Sequence, residues 1–198
     1  MGRRLAFDLE VAKAIPPKGV ITEDLPADIE YCAGWTDFAG MGLACLCFVD
    51  VDTGERLPWA GEDNPVLAGF IIAQAALLVS FNGLSFDARV LSALDSPLIV
   101  PAAKHYDILD EIYRATRRRF KLDDLARVNL GRSKTEDGAN APILWQRGER
   151  ERVIEYCFND CEITAEIFKL IETRGFLLNP YDGGEIRLQY RAPEVMLI

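Results

Sequence analysis

Tyr156 and Asp160 stand four residues apart in "VIEYCFNDCEIT", where the apolar residues Val153, Ile154, Phe158 and Ile163 fall near helical spacing. A phenol and a carboxylate at that separation stack on one face of a helix. Asp8 and Glu10, in "LAFDLEV", are two apart on a predicted strand and share one face, while Phe7, Leu9 and Val11 take the other. Two carboxylates on one face of an apolar strand repel each other unless protons or cations come between them. Asp87 follows the apolar run "LLVSF" and the Asn82–Gly83 turn, next to Phe86 in the first turns of a predicted helix. Each feature alone has a plain reading: a wetted edge strand, an acid complementing a helix dipole, an exposed helix residue. Together they carry more. Four carboxylates from a strand, a strand-to-helix turn and a late helix can converge at one end of a small sheet. Hard oxygen ligands in that number suit a pair of Mg2+ or Mn2+ ions. Two such ions about 3.5–4 Å apart can activate water and stabilise the leaving oxygen in phosphodiester hydrolysis.

The elements that must position these acids follow from periodicity and punctuation. "RRLAFDLEV" reads as a strand near the N-terminus, and the Pro- and charge-rich "AKAIPPKGVITEDLPAD" as an irregular connection. "YCAGWTDF" and "GLACLCFVDV" read as further β-rich runs, and "DTGE" as a turn into a short third run, together an antiparallel meander. Asn64–Pro65 marks a helix start, and "LLVSF" is a short strand buried on both faces. "LSFDARVLSAL" returns to helical spacing, "KHYDILDEIYRATRRR" holds a short strand or turn and a helix, and "KLDDLARVNLG" is a small helix closed by Gly131. "RSKTEDGANAPILWQRG" lacks periodicity and reads as a long loop; the longest helix then runs from Glu149 to about Thr173. "GFLLNPYDGGEIRLQY" has the look of a hairpin with an Asp-Gly-Gly turn. This pattern predicts one α/β domain over residues 1–175, with 176–198 as a C-terminal hairpin or extension packed on it.

Composition narrows the class. The 198 residues suffice for one domain with a proper core, and a net charge of −9 argues against a protein that coats nucleic acid electrostatically. It does not argue against a nuclease, since bound cations reverse the local field. The five cysteines include no CxxC pair and are accompanied by one histidine, which points to buried thiols in a reducing cytosol rather than structural zinc. No h-region follows "MGRRLAFDLE", and the apolar run "VLAGFIIAQAALLV" is interrupted by Gln74 and too short to span a bilayer. A soluble, cytoplasmic protein with no membrane partner is expected.

"FDLE", "NGLSFD" and "YCFND" resemble, in that order, the D-x-E, N-x3-F-D and Y-x3-D motifs of the DEDD (DnaQ-like) 3'–5' exonucleases. The resemblance covers Arg3 to about Gly175 and is nearest to stand-alone relatives of the family-B DNA polymerase proofreading domain. It implies an RNase H-like fold: a five-stranded mixed sheet, three antiparallel strands followed by parallel ones, flanked by helices. It implies Asp8, Glu10, Asp87 and Asp160 as ligands of two divalent ions, Mg2+ or Mn2+. Within the superfamily either His or Tyr positions the attacking water, and Tyr156, four before Asp160, places this chain in the tyrosine branch (DEDDy). A phenol with a free pKa near 10 is a poor base at neutral pH, so Tyr156 is assigned to orienting water. Glu10 is followed by Val11 rather than the usual Thr, and the segment from Gly138 to Pro142 matches no family pattern.

The resemblance further implies that Asn82 and Phe86 touch the terminal nucleotide. The basic run "RATRRRFK", with Arg117, Arg118 and Arg119 at its centre, is a candidate for gripping phosphates, or else a solvated helix end. His105 reads as structural, and Asp107 is not taken as a metal ligand. The expected activity is 3'–5' exonucleolytic hydrolysis, with single-stranded 3' ends of DNA as the partner. Trimming of RNA ends and a non-catalytic nucleic-acid-binding module on the same fold stand as the alternatives.

Overall fold

A computed structural model describes residues 2–20, 25–61, 63–132 and 140–190. Its centre is strand β1, Arg4–Val11, in which alternate residues serve different layers. Leu5, Phe7, Leu9 and Val11 belong to one core cluster, while Ala6 belongs to the other. By the two-residue period of a strand, Asp8 and Glu10 therefore share the face of Ala6. Strand β2, Leu43–Asp50, lies antiparallel to β1 and pairs Asp8 with Cys47 and Glu10 with Cys45. The register shifts between Glu10 and Val11, where Ala44 of β2 is the extra, unpaired residue, so the regular ladder stops just after the two acids. On the opposite edge of β1, β3 (Leu77–Ser80) and β4 (His105–Asp107) pair in parallel, giving the order β2-β1-β3-β4.

Helices cover both faces of the sheet. On one face lie the short α1, Phe38–Met41, then α2, Pro65–Gln74, and α3, Asp87–Ser92. The other face carries α4, Ile108–Thr116, α5, Leu122–Leu130, α6, Ala141–Gln146, and the 25-residue α7, Arg150–Arg174. Helix α7 crosses β1 and β2 closely enough for Cys157 Sγ to donate to the Asp8 carbonyl at 3.2 Å and Cys161 Sγ to the Cys47 carbonyl at 3.4 Å. Gly175, at φ 74°, ends α7 in a left-handed conformation. Beyond it β5, Phe176–Leu178, pairs antiparallel with β6, Glu185–Arg187, and Leu177 and Ile186 enter the core under α7. All five cysteines are free and buried.

Four expectations need correction. Among the described residues the main sheet has four strands, not five. The run after "DTGE" makes only isolated antiparallel bridges, Val49 with Arg56 and Leu46 with Ala60. Pro58 stands in the middle of that run and has no N–H to continue the ladder. The meander is thus two full strands and a broken edge, not three. "YCAGWTDF" is not a strand either: Tyr31 makes one bridge to Ala14, and the chain then turns through Gly34, at φ 141°, into α1. Finally, the segment read as one long loop contains α6, with Pro142 in its first turn; residues 133–139 of that segment lie outside the described residues.

Candidate active site

The four acids reach one place by different routes. Asp8 and Glu10 come from the C-terminal half of β1, just before its register with β2 shifts, Asp87 is the first residue of α3, and Asp160 lies in the middle of α7. All four line a single cavity of about 410 Å³, together with Asn82, Phe86, Phe81, Trp35 and Pro142. Glu10, Asp87 and Asp160 are buried, at 9%, 4% and 5% exposure, and Asp8 is half-buried. Burial of this many carboxylates is costly without compensating cations.

Asp87 shows the strain most clearly. Its Oδ1 accepts from the Leu9 N–H at 3.2 Å, tying the start of α3 to β1. Burial pushes its carboxyl up to about 7; backbone N–H donors pull it down, and the charges of Asp107 and Asp160 push it up again. Tyr156 lies 7% exposed, one turn before Asp160 on α7, and is hydrogen-bonded to it. Burial, and then the charges of Asp160, Glu10 and Asp8, hold its phenol far above the ordinary tyrosine range. It stays protonated and donates.

Asn82 and Phe86 are set by the turn between β3 and α3. Asn82 occupies the left-handed region at φ 72°, a conformation Asn tolerates better than most residues. Asp107, buried at the end of β4, holds that turn. Its Oδ1 accepts from the N–H of Asn82 and of Leu109, both at 2.9 Å, and its Oδ2 accepts from that of Leu84, also at 2.9 Å. It also caps α4 through the Asp110 N–H at 3.3 Å. His105 sits behind the turn, its Nε2 2.7 Å from Ser80 Oγ. Burial holds its imidazole below the ordinary value, so it is neutral at pH 7. Gly83 is required here, because a Cβ would come within 2.4 Å of Ser80 Oγ.

The basic run divides. Arg119 Nη2 donates to Asn82 Oδ1 and so stands at the rim of the cavity. Arg117 adopts φ 60° as the C-cap of α4 and lays its guanidinium 6.0 Å from the Tyr113 ring centroid. Arg118 is exposed, and its backbone N–H donates to Thr116 Oγ1. Only Arg119 of the three is joined to a cavity residue by a described hydrogen bond.

The carboxylate set fits hard divalent ions of the Mg2+ or Mn2+ kind: its donors are oxygens, and burial first, then the neighbouring carboxylates, raises Asp87. A second donor cluster differs in kind. The sulfurs of Cys45, Cys47 and Cys157 lie within 4.8 Å of one another in the core beneath Asp8. Their thiols are pushed up mainly by burial and by hydrogen bonds among themselves, and Cys157 donates to a backbone carbonyl. This is soft, protonated packing, unsuited to Mg2+.

From the sequence, Asp107 is named only as a residue not taken for a metal ligand, which leaves its turn-holding role unread, and Trp35 is not singled out. Asp107 left a signal, an acid directly between a short strand and "ILDE", which is the pattern of a helix N-cap. Trp35 left none, since nothing local places it beside Phe86.

A protein-family model described as the RNase_H superfamily matches residues 46–172, a span that includes Asn82, Asp87, Tyr156 and Asp160 but begins after Asp8 and Glu10. Among solved structures, the fold is similar to that of the family B DNA polymerase from the hyperthermophilic archaeon Pyrobaculum calidifontis. The TM-score is 0.58 and the identity 17%, over 86% of this chain. The match spans 25% of the polymerase chain. No curated protein matches. Among the described residues no helix is long and apolar enough to cross a membrane.

Proposed function

The chain belongs to the RNase_H superfamily, and from that premise we propose that it is a metal-dependent 3'–5' exonuclease of the tyrosine branch, acting on single-stranded DNA. The observation that carries this reading is the convergence of Asp8, Glu10, Asp87 and Asp160 on one cavity that also contains Asn82 and Phe86. The name of the similar polymerase supports DNA as the substrate.

Asp8, Glu10, Asp87 and Asp160 would hold two divalent ions. When bound, such ions supply the positive charge that makes water nucleophilic at neutral pH and offsets charge on the leaving oxygen. The protein does the rest by positioning. Phe86 receives the terminal base and Asn82 the backbone beside it, on a turn that Asp107 keeps from shifting. Tyr156 keeps its proton and donates a hydrogen bond to Asp160, while its oxygen accepts a hydrogen bond from the attacking water. Attack at phosphorus breaks the bond to the 3' oxygen of the preceding sugar and frees a 5'-mononucleotide. Arg119 meets the phosphates that approach the rim.

A time course on 5'-labelled single-stranded DNA and RNA tests this. DNA should shorten in single-nucleotide steps with Mg2+ or Mn2+ and stay intact in EDTA. Activity that survives EDTA, or that opens circular single-stranded DNA, refutes the reading. Faster trimming of RNA moves the substrate to RNA ends, and binding without cleavage in either metal leaves a non-catalytic module.

A further inference from the structure

Trp35 is 66% exposed, yet it lines the same cavity as the four carboxylates. Its indole packs against Phe86, with ring centroids 6.4 Å apart and planes at 58°. Phe86 in turn meets the edge of Phe38 at 6.3 Å, and the Arg89 guanidinium lies 4.9 Å over the Phe38 ring. Trp35 and Phe86 thus form a shelf on one wall of the cavity, backed by Phe38, with the indole as its outer, wetted end. Val66, Phe70 and Ile99 are also exposed, but none of them lines this cavity.

The turn that carries Trp35 is held in place. The Asp37 carboxylate accepts from the Ala33 N–H at 2.7 Å and the Gly40 N–H at 3.1 Å, and the Asp37 N–H donates to the Gly34 carbonyl at 3.0 Å. Gly34, at φ 141°, takes a conformation that side chains rarely allow. Upstream, Gln146 of α6 exchanges two hydrogen bonds with the backbone of Glu30, at 2.6 and 3.0 Å, and donates to the Ala12 carbonyl at 3.0 Å. A ring displayed on a fixed turn binds with little further ordering cost.

We propose that Trp35 is a stacking platform for an unpaired nucleobase within the last few nucleotides of a 3' end, and that it makes the enzyme prefer single strands. The proposal rests on the exonuclease reading and deepens it. Every base offers a π face, so such a platform is tolerant of sequence. A base within a duplex has both faces covered by its neighbours and is withheld from the indole. The neighbourhood suits a nucleotide: the shelf adjoins a carboxylate cavity that takes phosphate once divalent cations are bound, and Arg119 stands at its rim beside Asn82.

The test is the affinity of the full chain for a fluorescent single strand in Ca2+, by anisotropy, with Trp35→Ala, Trp35→Phe and strands abasic at each of the last three positions. Trp35→Ala should raise Kd about tenfold, within the range that one stacked base supplies, and Trp35→Phe should recover most of the loss. One abasic position should weaken the wild type to the same degree, and there Trp35→Ala should add nothing. Blunt duplex should bind both proteins equally. An unchanged Kd for Trp35→Ala, or a loss that persists in full at every abasic position, overturns the platform. If the wild type binds and shortens single strands while Trp35→Ala matches it, only the platform falls. If the wild type binds no strand, the exonuclease reading falls with it.

Discussion

Replacing Tyr156 by Phe keeps a ring that is 7% exposed and deletes only the hydroxyl. Two effects follow, and they separate cleanly. The first is on rate. If the phenol positions the attacking water, its loss should slow single-turnover hydrolysis by roughly 10²–10⁴, the range for a positioned acid–base group. At about 1.36 kcal/mol per decade this corresponds to roughly 3–5 kcal/mol of transition-state stabilisation. The second is on stability. The hydroxyl donates to the buried Asp160 carboxylate, and a hydrogen bond to a charged group is worth about 1.5–3 kcal/mol. The variant should therefore melt several degrees lower in EDTA. The pH profile supplies a further sign. Burial and the neighbouring carboxylates hold the phenol far above its ordinary range, so it does not ionise between pH 6 and 9. Wild type and Tyr156→Phe should then give parallel plots of log rate against pH. The assay is the decay of a 5'-labelled single strand with enzyme in excess, alongside thermal melts. A wild-type rate for Tyr156→Phe, or a wild-type ionisation that vanishes in the variant, refutes the reasoning.

Asp107→Asn keeps the shape of a residue that accepts from the backbone N–H of Asn82, Leu84, Leu109 and Asp110 but leaves one acceptor oxygen. It should cost about 1–3 kcal/mol of stability, the range for a buried group left short of partners, and the Asn82 and Leu84 amides should lose protection in hydrogen exchange. KM should rise while the Mg2+ concentration for half-maximal rate stays fixed; a shifted Mg2+ dependence would make Asp107 a ligand. Of the three central arginines, Arg119 is joined to Asn82, so Arg119→Ala should raise KM and flatten its salt dependence by about one unit of slope, as one lost phosphate contact does. Arg118→Ala should leave the slope nearly unchanged, and equal effects from the two would return the run to a diffuse positive patch.

How much of this was legible beforehand depended on the range of the interaction. The acids stood out because they interrupt apolar runs, and α7 because its spacing holds for 25 residues and ends at a glycine. The face shared by Asp8 and Glu10 followed from the period of a strand. The misreadings arose where composition and geometry part. Tyr31, Trp35 and Phe38 have the composition of a strand, but Asp37 and Gly34 turn the chain and start a helix. The run after the "DTGE" turn has strand character, but Pro58 breaks its ladder to a pair of bridges. Helix α6 spans only six residues, too few for periodicity to show, and is fixed instead by Pro142 and by Gln146 reaching Ala12 and Glu30. Trp35 meets Phe86, and Arg119 meets Asn82, only once the chain has folded.

The central claim is that four converging carboxylates perform the chemistry, and their isosteric amides test it most directly. Asp8→Asn, Glu10→Gln, Asp87→Asn and Asp160→Asn each keep side-chain volume and remove one charge from the cavity. Single-turnover decay of a 5'-labelled strand in Mg2+ should show the wild type producing a ladder from the 3' end. Each variant should be slower by roughly 10³-fold, the equivalent of about 4 kcal/mol of lost charge stabilisation, with its circular dichroism unchanged. Any one of the four retaining the wild-type rate would contradict the site described here.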